Sequence, residues 1–497
     1  VHCGQWWEYV LHPDLCTQRG CCWQPSDDSL AWCHYPKPSP PVSTVHVLQG
    51  CHLDVGFKST AVDIVNLWFT KYFPLAASVG ANLSTNADGV RLNFTAQSWL
   101  VSLYVDCPST WPGLVCPTPA ELATFKAAVA AGYITWHAFP FNSEPEAYDA
   151  ALFGAGVDLT HAVDAALGVP PKTLLTQRDV PGMTRSVIPL LTAKGVHSVS
   201  VGVNGGSTPP NVPPVFLWRD AATNTSVRVL YDQGGYGGIS VLNRFGIYVM
   251  THIPGTAEAV VVAWRGDNAG PPPTPQGAIA TFEGIQSEAA VVFPNATVVP
   301  GTFETVAKIL DGTPEAAFPV VTSEIGDTWV HGVGSAPRKL ARMRHAQTLR
   351  SHCLATGECS ATDGRFANFT RFLLKNGEHT WVTLCAVSGK DALWSNADLQ
   401  AQLANSSSGF QALADTWVAQ SKLGLDDAVG SLGDHPLAAN ITSAWSNLTR
   451  TIPDVSHCTA VPAAGPHTLG PLTVGFSPVD GGVTLLANAA AGAVWAN

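Results

Sequence analysis

Cys51-His52-Leu53-Asp54-Val55-Gly56-Phe57, directly after the apolar run Val45-His46-Val47-Leu48, is the stretch whose reading decides the fold. Side chains alternate along a strand, so His52 and Asp54, two apart, point to the same side. An imidazole and a carboxylate on one face at a strand end are half of a divalent-metal site. Open α/β sheets and barrels carry their chemistry at the carboxyl ends of strands, where this pair falls. A His-x-Asp pair also occurs as two ordinary polar residues at a loop entrance, so it carries weight only in company.

Three later segments supply that company. Lys172–Gly182 reads as a short buried strand that delivers Asp179 into a Pro181-Gly182 turn. Pro319–Gly332 reads as a strand followed by two carboxylates (Glu324 and Asp327), Trp329 and His331. Gly377-Glu378-His379-Thr380-Trp381 follows the helix-like run Ala367–Leu374. Together they place acids, imidazoles and aromatics at strand ends and turns, which is the equipment of a metal-assisted sugar site.

The wording of these blocks resembles glycoside hydrolase family 38, the zinc-dependent α-mannosidases, and more closely an uncharacterised branch related to it. The resemblance rests on His52-Leu53-Asp54-Val55-Gly56-Phe57, Asp179-Val180-Pro181-Gly182, Glu324-Ile325-Gly326-Asp327-Thr328-Trp329-Val330-His331-Gly332 and Glu378-His379-Thr380-Trp381, in that order. Trp136-His137-Ala138-Phe139-Pro140-Phe141 and Gly266-Asp267-Asn268-Ala269-Gly270-Pro271 are similar to further blocks of the branch. The likeness covers residues 43 to 497.

Composition points to a secreted protein. At 497 residues the chain buries a large core and holds more than one domain. Its net charge is −11 with 13% charged residues, and no basic patch appears, which excludes nucleic acid as a partner. The cysteines number 12; Cys107 to Cys116 encloses a Pro/Gly/Trp loop and Cys353 to Cys359 a short turn, both expected to be local disulfides. Sequons at Asn82, Asn93, Asn224, Asn295, Asn368, Asn405, Asn440 and Asn447 suit a glycosylating, disulfide-forming compartment, secreted or at the cell surface. No run of 18 or more apolar residues is expected to span a membrane.

Residues 1–38 read as a separate unit. Cys3, Cys16, the Cys21-Cys22-Trp23 run and the closing Trp32-Cys33 with Tyr35-Pro36 resemble a trefoil (P-type) domain. A module this small needs disulfides in place of a core. The trefoil pattern pairs six cysteines; by that resemblance Cys3 pairs with Cys21 and Cys16 with Cys33. Cys22 is then left over: either its partner lies upstream of Val1 or it pairs elsewhere. Trefoils accompany secreted glycosidases and some bind glycans; a stable spacer without a ligand is the other reading.

The Pro36–Pro41 stretch is a Pro/Ser linker. From 43 to 335, short apolar runs alternate with helix-like stretches, such as Thr124–Ala131 before Tyr133–Trp136 and Ser186–Lys194 before Val199–Gly202, which argues for parallel βαβ units. The resemblance implies a seven-stranded α/β barrel over this span. Residues 336–457 lose the strand signal; Arg338–Cys353, Asn368–Asn376, Ala397–Gln420 and Ala438–Arg450 read as a helical bundle. The β pattern returns over 458–497 as the start of a β-sandwich, whose continuation in a C-terminal β-rich segment is an expected partner, along with glycans, glycoproteins or other extracellular subunits.

The resemblance also implies roles. His52, Asp54, Asp179 and His379 would hold Zn2+, with Asp179 doubling as the nucleophile that forms a glycosyl-enzyme. Asp327 is the expected acid/base, with Glu324 second. Trp136 and Trp329 would stack on the sugar, and His137, His331 and Asp267 would bond hydroxyls; the other reading makes all five core or backbone-satisfying residues. Glu378 is placed to fix the His379 imidazole. Cys51 is expected to be buried or disulfide-bonded. Family members follow the nucleophile turn with His, and this chain has Met183, which donates no hydrogen bond. That departure keeps open a glycan-binding or structural glycoprotein without turnover. A zinc polysaccharide deacetylase is disfavoured, because no His-x-x-x-His pair follows an Asp-Asp.

Overall fold

The computed structural model describes residues 22–23, 33–34, 40–108, 111–232, 235–236, 250–326, 329, 336–381, 395–404, 408–448, 454–459 and 465–496. It divides into two compact units, 1–447 and 448–497. In chain order the strands of the first unit are β1 (Cys22–Trp23), β2 (Cys33–His34), β3 (Thr44–Cys51), β4 (Phe94–Ala96), β5 (Ile134–Trp136), β6 (Leu174–Asp179), β7 (Ser198–Val203), β8 (Val215–Asp220), β9 (Thr225–Asp232), β10 (Met250–His252), β11 (Glu258–Arg265), β12 (Thr297–Gly301) and β13 (Val320–Val321). Strands β1 and β2 pair antiparallel in the cysteine-rich segment. Cys3, Cys16 and Cys21 and the Cys33 side chain lie outside the described residues.

Strand β3 organises the first sheet. Its residues 47–51 are buried on both faces, as in a strand covered on both sides. It pairs in parallel with β11 along its whole length. Its other edge is shared: β12 takes residues 44–48 and β4 takes 49–50. Strand β4 continues to β5, and β10 lies antiparallel on β11. The second sheet runs β13-β8-β9-β7-β6, parallel except for the β8–β9 hairpin. Between the ends of the two sheets, Ala138 N–H donates to Leu174 O at 2.8 Å. The expected closed ring of seven strands is therefore replaced, among the described residues, by two sheets. Dividing the second edge of β3 and inserting an antiparallel hairpin leave no continuous parallel ladder to close.

Both sheets contribute to one apolar cluster with helix Phe303–Gly312; Leu48, Leu174, Val215, Val260, Trp264 and Phe303 belong to it. Each fully buried side chain of this size contributes roughly 1.5–3 kcal/mol. Helix Ala150–Leu167 is long and apolar enough to cross a bilayer by length and composition. Its contacts are those of a packed domain helix: Asp149 caps it, Gly168 ends it at φ 66°, and Asp164 accepts from Trp136 Nε1 at 2.7 Å. Helix Ala61–Leu67 passes through a π-helical turn, Trp68–Tyr72, into Phe73–Leu83. Beyond the sheets, helices Pro337–Ala355, Gly364–Leu374, Asn396–Ala404, Ser408–Gly424 and Pro436–Ser446 succeed one another. The Cys107–Cys116 and Cys353–Cys359 disulfides are formed. In the second unit, Pro466–Leu469, Leu472–Phe476, Val483–Asn488 and Ala493–Ala496 make an antiparallel meander.

The end of β6 is pinned by two glycines. Asp179 has φ 86°, a left-handed conformation that costs a non-glycine residue of order 1–3 kcal/mol and persists only where its surroundings enforce it. After the Asp179–Gly182 turn, Met183 N–H donates to Ile325 O at 3.2 Å. A Cβ on Gly182 would lie 1.8 Å from Ile325 O, and one on Gly326, at φ +69°, would lie 2.3 Å from Pro181 O. Only two bare backbones fit this crossing. Gly182→Ala is expected to lower Tm by several degrees in a thermal melt, because backbone atoms cannot yield as a side-chain tip can. Gly312→Ala, which meets nothing within 4 Å, is expected to leave Tm nearly unchanged.

Candidate active site

Four side chains from three separated segments converge. His52 and Asp54 follow β3, Asp179 ends β6, and His379 follows a short 3-10 turn, Lys375–Gly377. One ligand atom from each lies within 4.8 Å of all the others. His52 Nε2 is 3.1 Å from Asp54 Oδ1, and His379 Nε2 is 3.1 Å from the same oxygen and 3.2 Å from Asp179 Oδ2. The two Nε2 atoms face each other at 3.2 Å.

Each member has supports. Asn142 Nδ2 lies 3.2 Å from His52 Nδ1, and the Tyr236 ring stacks on His52 with centroids 4.6 Å apart. Glu378 Oε1 lies 3.0 Å from His379 Nδ1, close enough for an ion pair though not aligned as a hydrogen bond, and Lys375 Nζ lies 2.8 Å from Glu378 Oε2. Asn268 ties β3 to β11. Its side chain accepts from Asp54 N–H at 3.2 Å and donates to Asp54 O at 3.1 Å, while its own N–H donates to His52 O at 2.9 Å. Tyr72, on the π-helical turn, donates to Asn268 O at 2.7 Å.

Burial by itself would push the Asp54 and Asp179 carboxyls up, but the two imidazoles hold both well below the usual carboxylate range. Burial would likewise lower His379, yet Glu378, Asp179 and Asp54 hold it well above the usual imidazole value. The cluster thus demands positive charge at its centre, which a proton on His379 satisfies when no cation does. Asp54 Oδ2 is buried with no hydrogen-bond partner among the described residues. Two imidazoles, two carboxylates and an orphaned carboxylate oxygen fit a divalent ion of the zinc type, whose binding releases such a proton.

The cluster opens on a cavity of about 390 Å³ whose wall includes Phe57, Glu144, Asn204, Tyr236, Asp267 and Trp329, and also Thr380 and Trp381. Asn204 Nδ2 donates to Asp179 Oδ1 at 2.6 Å. Tyr236 Oη donates to the same oxygen at 2.5 Å and stands 3.3 Å from Asp267 Oδ1. Placing those two contacts end to end, the Asp179 and Asp267 oxygens are at most about 5.8 Å apart.

Of the residues singled out in the sequence, Asp267 and Trp329 line this cavity. Trp136 and His137 do not: Trp136 donates to Asp164 beneath Lys172, and His137 Nε2 is bonded to Gln97 Oε1, both rings fully buried. A strand alternates its faces, and these two continue β5 into the core rather than to the cavity mouth. Glu324 is exposed and accepts from Arg185 N–H at 2.5 Å, away from the cavity wall. Asp327 and His331 lie outside the described residues, as does Asn405. Cys51 is a free buried thiol, receiving Gly270 N–H at 3.1 Å and pushed up to about 12 by burial. Met183 is fully buried and does not line the cavity. Asn82, Asn224, Asn295, Asn440 and Asn447 are exposed, and Asn93 and Asn368 half-buried.

Sequence reasoning missed Glu144, Asn204 and Tyr236, and left Trp381 without a role. Tyr236 sits in the run Gly234-Gly235-Tyr236-Gly237-Gly238, an aromatic in a glycine loop, which was the available signal. Glu144 follows the block Phe139-Pro140-Phe141 and carries no comparable mark.

Comparison with known proteins places these observations. A trefoil (P-type) domain profile matches residues 1–36, and a profile described as a domain of unknown function (DUF5054) matches residues 333–497. No curated protein matches the chain. An α-mannosidase from Enterococcus faecalis V583 is similar in structure, with TM-score 0.53 and 14% identity, over 82% of this chain and 43% of that one. A glycosyl hydrolase family 38 protein from Enterococcus faecalis gives TM-score 0.42 and 12% identity over 79% of this chain and 40% of that one. A 4-α-glucanotransferase from Thermococcus litoralis gives 0.44 and 9%, over 91% and 68%. The first of these establishes likeness of fold, and this chain spans less than half the length of that structure.

Glu146, which accepts Thr184 N–H at 2.5 Å beside the Asp179–Gly182 turn, is pushed up to about 7 by burial. The folded chain therefore keeps this proton between about pH 4.5 and 7, where an unfolded Glu has lost it, and stability falls as pH rises through that window. Glu146→Gln has no proton to lose. In chelator-treated protein its Tm is expected to match wild type near pH 4.5 and to exceed it by a widening margin up to pH 8. A margin constant with pH in differential scanning fluorimetry would refute the raised carboxyl.

Proposed function

We propose that this chain is a zinc-dependent, retaining glycosidase of the secretory pathway, acting on α-mannosides or related sugars with adjacent cis hydroxyls. The observation that carries the reading is a pair of carboxylates, Asp179 and Asp267, linked by one tyrosine hydroxyl on the wall of a cavity that also holds a two-His, two-Asp cluster. Retaining enzymes need two carboxyls about 5–5.5 Å apart, which lies inside the limit set by the Tyr236 bridge. The likeness of fold to an α-mannosidase, the trefoil match and the disulfides support the substrate class and the compartment.

His52, Asp54, Asp179 and His379 would hold the ion. When bound, zinc supplies Lewis acidity and a grip on paired hydroxyls. The chain's own residues do the rest. Asp179, kept ionised by its neighbours, attacks the anomeric carbon through a carboxylate oxygen and forms a glycosyl-enzyme. Tyr236 and Asn204 hold its Oδ1 in place, so its orientation is fixed before substrate arrives. With Glu324 turned away from the cavity and Asp327 outside the described residues, Asp267 takes the acid/base role here: it gives its proton to the leaving oxygen, then takes one from the water that releases the sugar. Trp329 offers a stacking face. The buried position of Met183 removes it from contact with substrate, which weakens the argument for a protein without turnover.

The first test is elemental analysis of the purified native chain beside Asp54→Ala, with aryl α-mannoside hydrolysis followed in both. Close to one zinc per chain, lost in the variant together with activity, is expected. Asp267→Asn is expected to retain zinc while kcat falls roughly 10²–10⁴-fold, the range for a lost general acid/base. Zinc without hydrolysis of any glycoside tried would instead favour a glycan-binding protein, and absence of zinc would overturn the mechanism.

A further inference from the structure

The four candidate ligands come from three separated stretches of chain, and a fourth stretch, the residues that follow β5, touches all three. Asn142 is its centre and is fully buried. Its side-chain oxygen accepts from Arg178 N–H at 2.8 Å, directly before Asp179. Its side-chain nitrogen donates to Leu53 O at 3.3 Å, between His52 and Asp54, and stands 3.2 Å from His52 Nδ1. Its main-chain oxygen accepts from His379 N–H at 3.4 Å.

A backbone N–H only donates and a backbone carbonyl only accepts, so Arg178 and Leu53 together fix which end of the amide faces which strand. Turned over, the amide would set like against like at both ends. The next residue extends the joint. Ser143 N–H donates to Gln177 Oε1 at 3.3 Å, and Gln177 Nε2 donates to Gly182 O at 2.8 Å, at the end of the Asp179–Gly182 turn. Ser143 also bridges antiparallel to Glu378, beside His379. Two features make a clamp at this point necessary. Strands β3 and β6 belong to different sheets, so no ladder sets the spacing of their ends. The left-handed backbone of Asp179, at φ 86°, persists only where its neighbours enforce it, and the Arg178 tie is one residue away.

We propose that Asn142 is the positioning residue of the candidate ion site. It sets the spacing between the His52–Asp54 pair and Asp179 and registers His379 against both, so the four ligands converge before an ion arrives. This rests on the metal part of the glycosidase reading and adds to it the residue that keeps the ligands together. Residues that orient metal ligands in this way typically cost about 10–100-fold in metal affinity when they are replaced.

The test is metal binding, which needs no turnover. Zinc affinity is measured by competition with a chromophoric chelator in wild type, Asn142→Ala and Asn142→Asp. Co2+ is then loaded in place of zinc, and its visible bands report ligand number and geometry. Metal-free thermal melts show which variants are folded and how much stability each has lost. Asn142→Ala is expected to bind zinc roughly 10–100-fold more weakly, with displaced cobalt bands. Asn142→Asp is isosteric, keeps an acceptor for Arg178 N–H and loses both side-chain donors, so its cobalt bands are expected to move with the fold intact. If Asn142→Ala does not fold, Asn142→Asp decides. Native zinc affinity and native cobalt bands in every variant that folds overturn the positioning role and leave the glycosidase reading intact; a lowered metal-free Tm beside them assigns Asn142 to stability alone. No zinc bound by wild type overturns the ion mechanism and the positioning role together.

Discussion

The seam between β3 and β11 carries the site, and Asn268 is the stitch. One side chain satisfies both main-chain groups of Asp54, its own N–H reaches His52 O, and its carbonyl receives the Tyr72 hydroxyl. A single residue therefore fixes two candidate ion ligands on one strand and, through the peptide that joins it to Asp267, the proposed acid/base on the other. The π-helical turn at Trp68–Tyr72 has a concrete use here, since it brings Tyr72 under Asn268 and against Gly270, where a Cβ would meet the ring at 2.5 Å. Such turns are rare and recur beside functional sites for this kind of re-aiming.

Opposite that seam, the cluster stores its own tension. Asp179 is held at φ 86°, two carboxylates are buried among imidazoles, and one carboxylate oxygen has no partner among the described residues. None of these is comfortable alone. They coexist because Glu378 and Lys375 neutralise each other behind His379, and because the Gly182–Gly326 crossing leaves the Asp179 turn no room to relax. A cation between the carboxylates would relieve the charge imbalance and occupy the orphaned oxygen together.

How much of this was legible in the sequence follows from where the information sits. The β3 strand and the helices after 336 were readable because each is written locally, as an apolar run or a 3.6-residue period, while the four cluster residues were readable as a set only through the resemblance of their short blocks to a known family. The closed barrel was not, since the sharing of one β3 edge between β12 and β4 is a choice among partners that are far apart in the chain. The faces of Trp136 and His137 failed for a similar reason: a strand's alternation is visible, but which face meets the cavity depends on the sheet opposite. Glu144 was invisible as a site residue because a lone glutamate gains meaning only from its burial and the cavity beside it.

The pairing of β3 has a consequence for the order in which the molecule comes into being. Strand β4 can cover residues 49–50 early, but residues 44–48 must wait for residues 258–265 and 297–301 before either edge is covered, and His52 and Asp54 must wait longer still for His379. Contacts of such long sequence separation form late and slowly, since the intervening loop must close before they are rewarded. A ribosome that has delivered the first strand has therefore delivered nothing that can yet hold an ion, and a nascent chain interrupted before residue 379 carries an exposed apolar ribbon in place of a site.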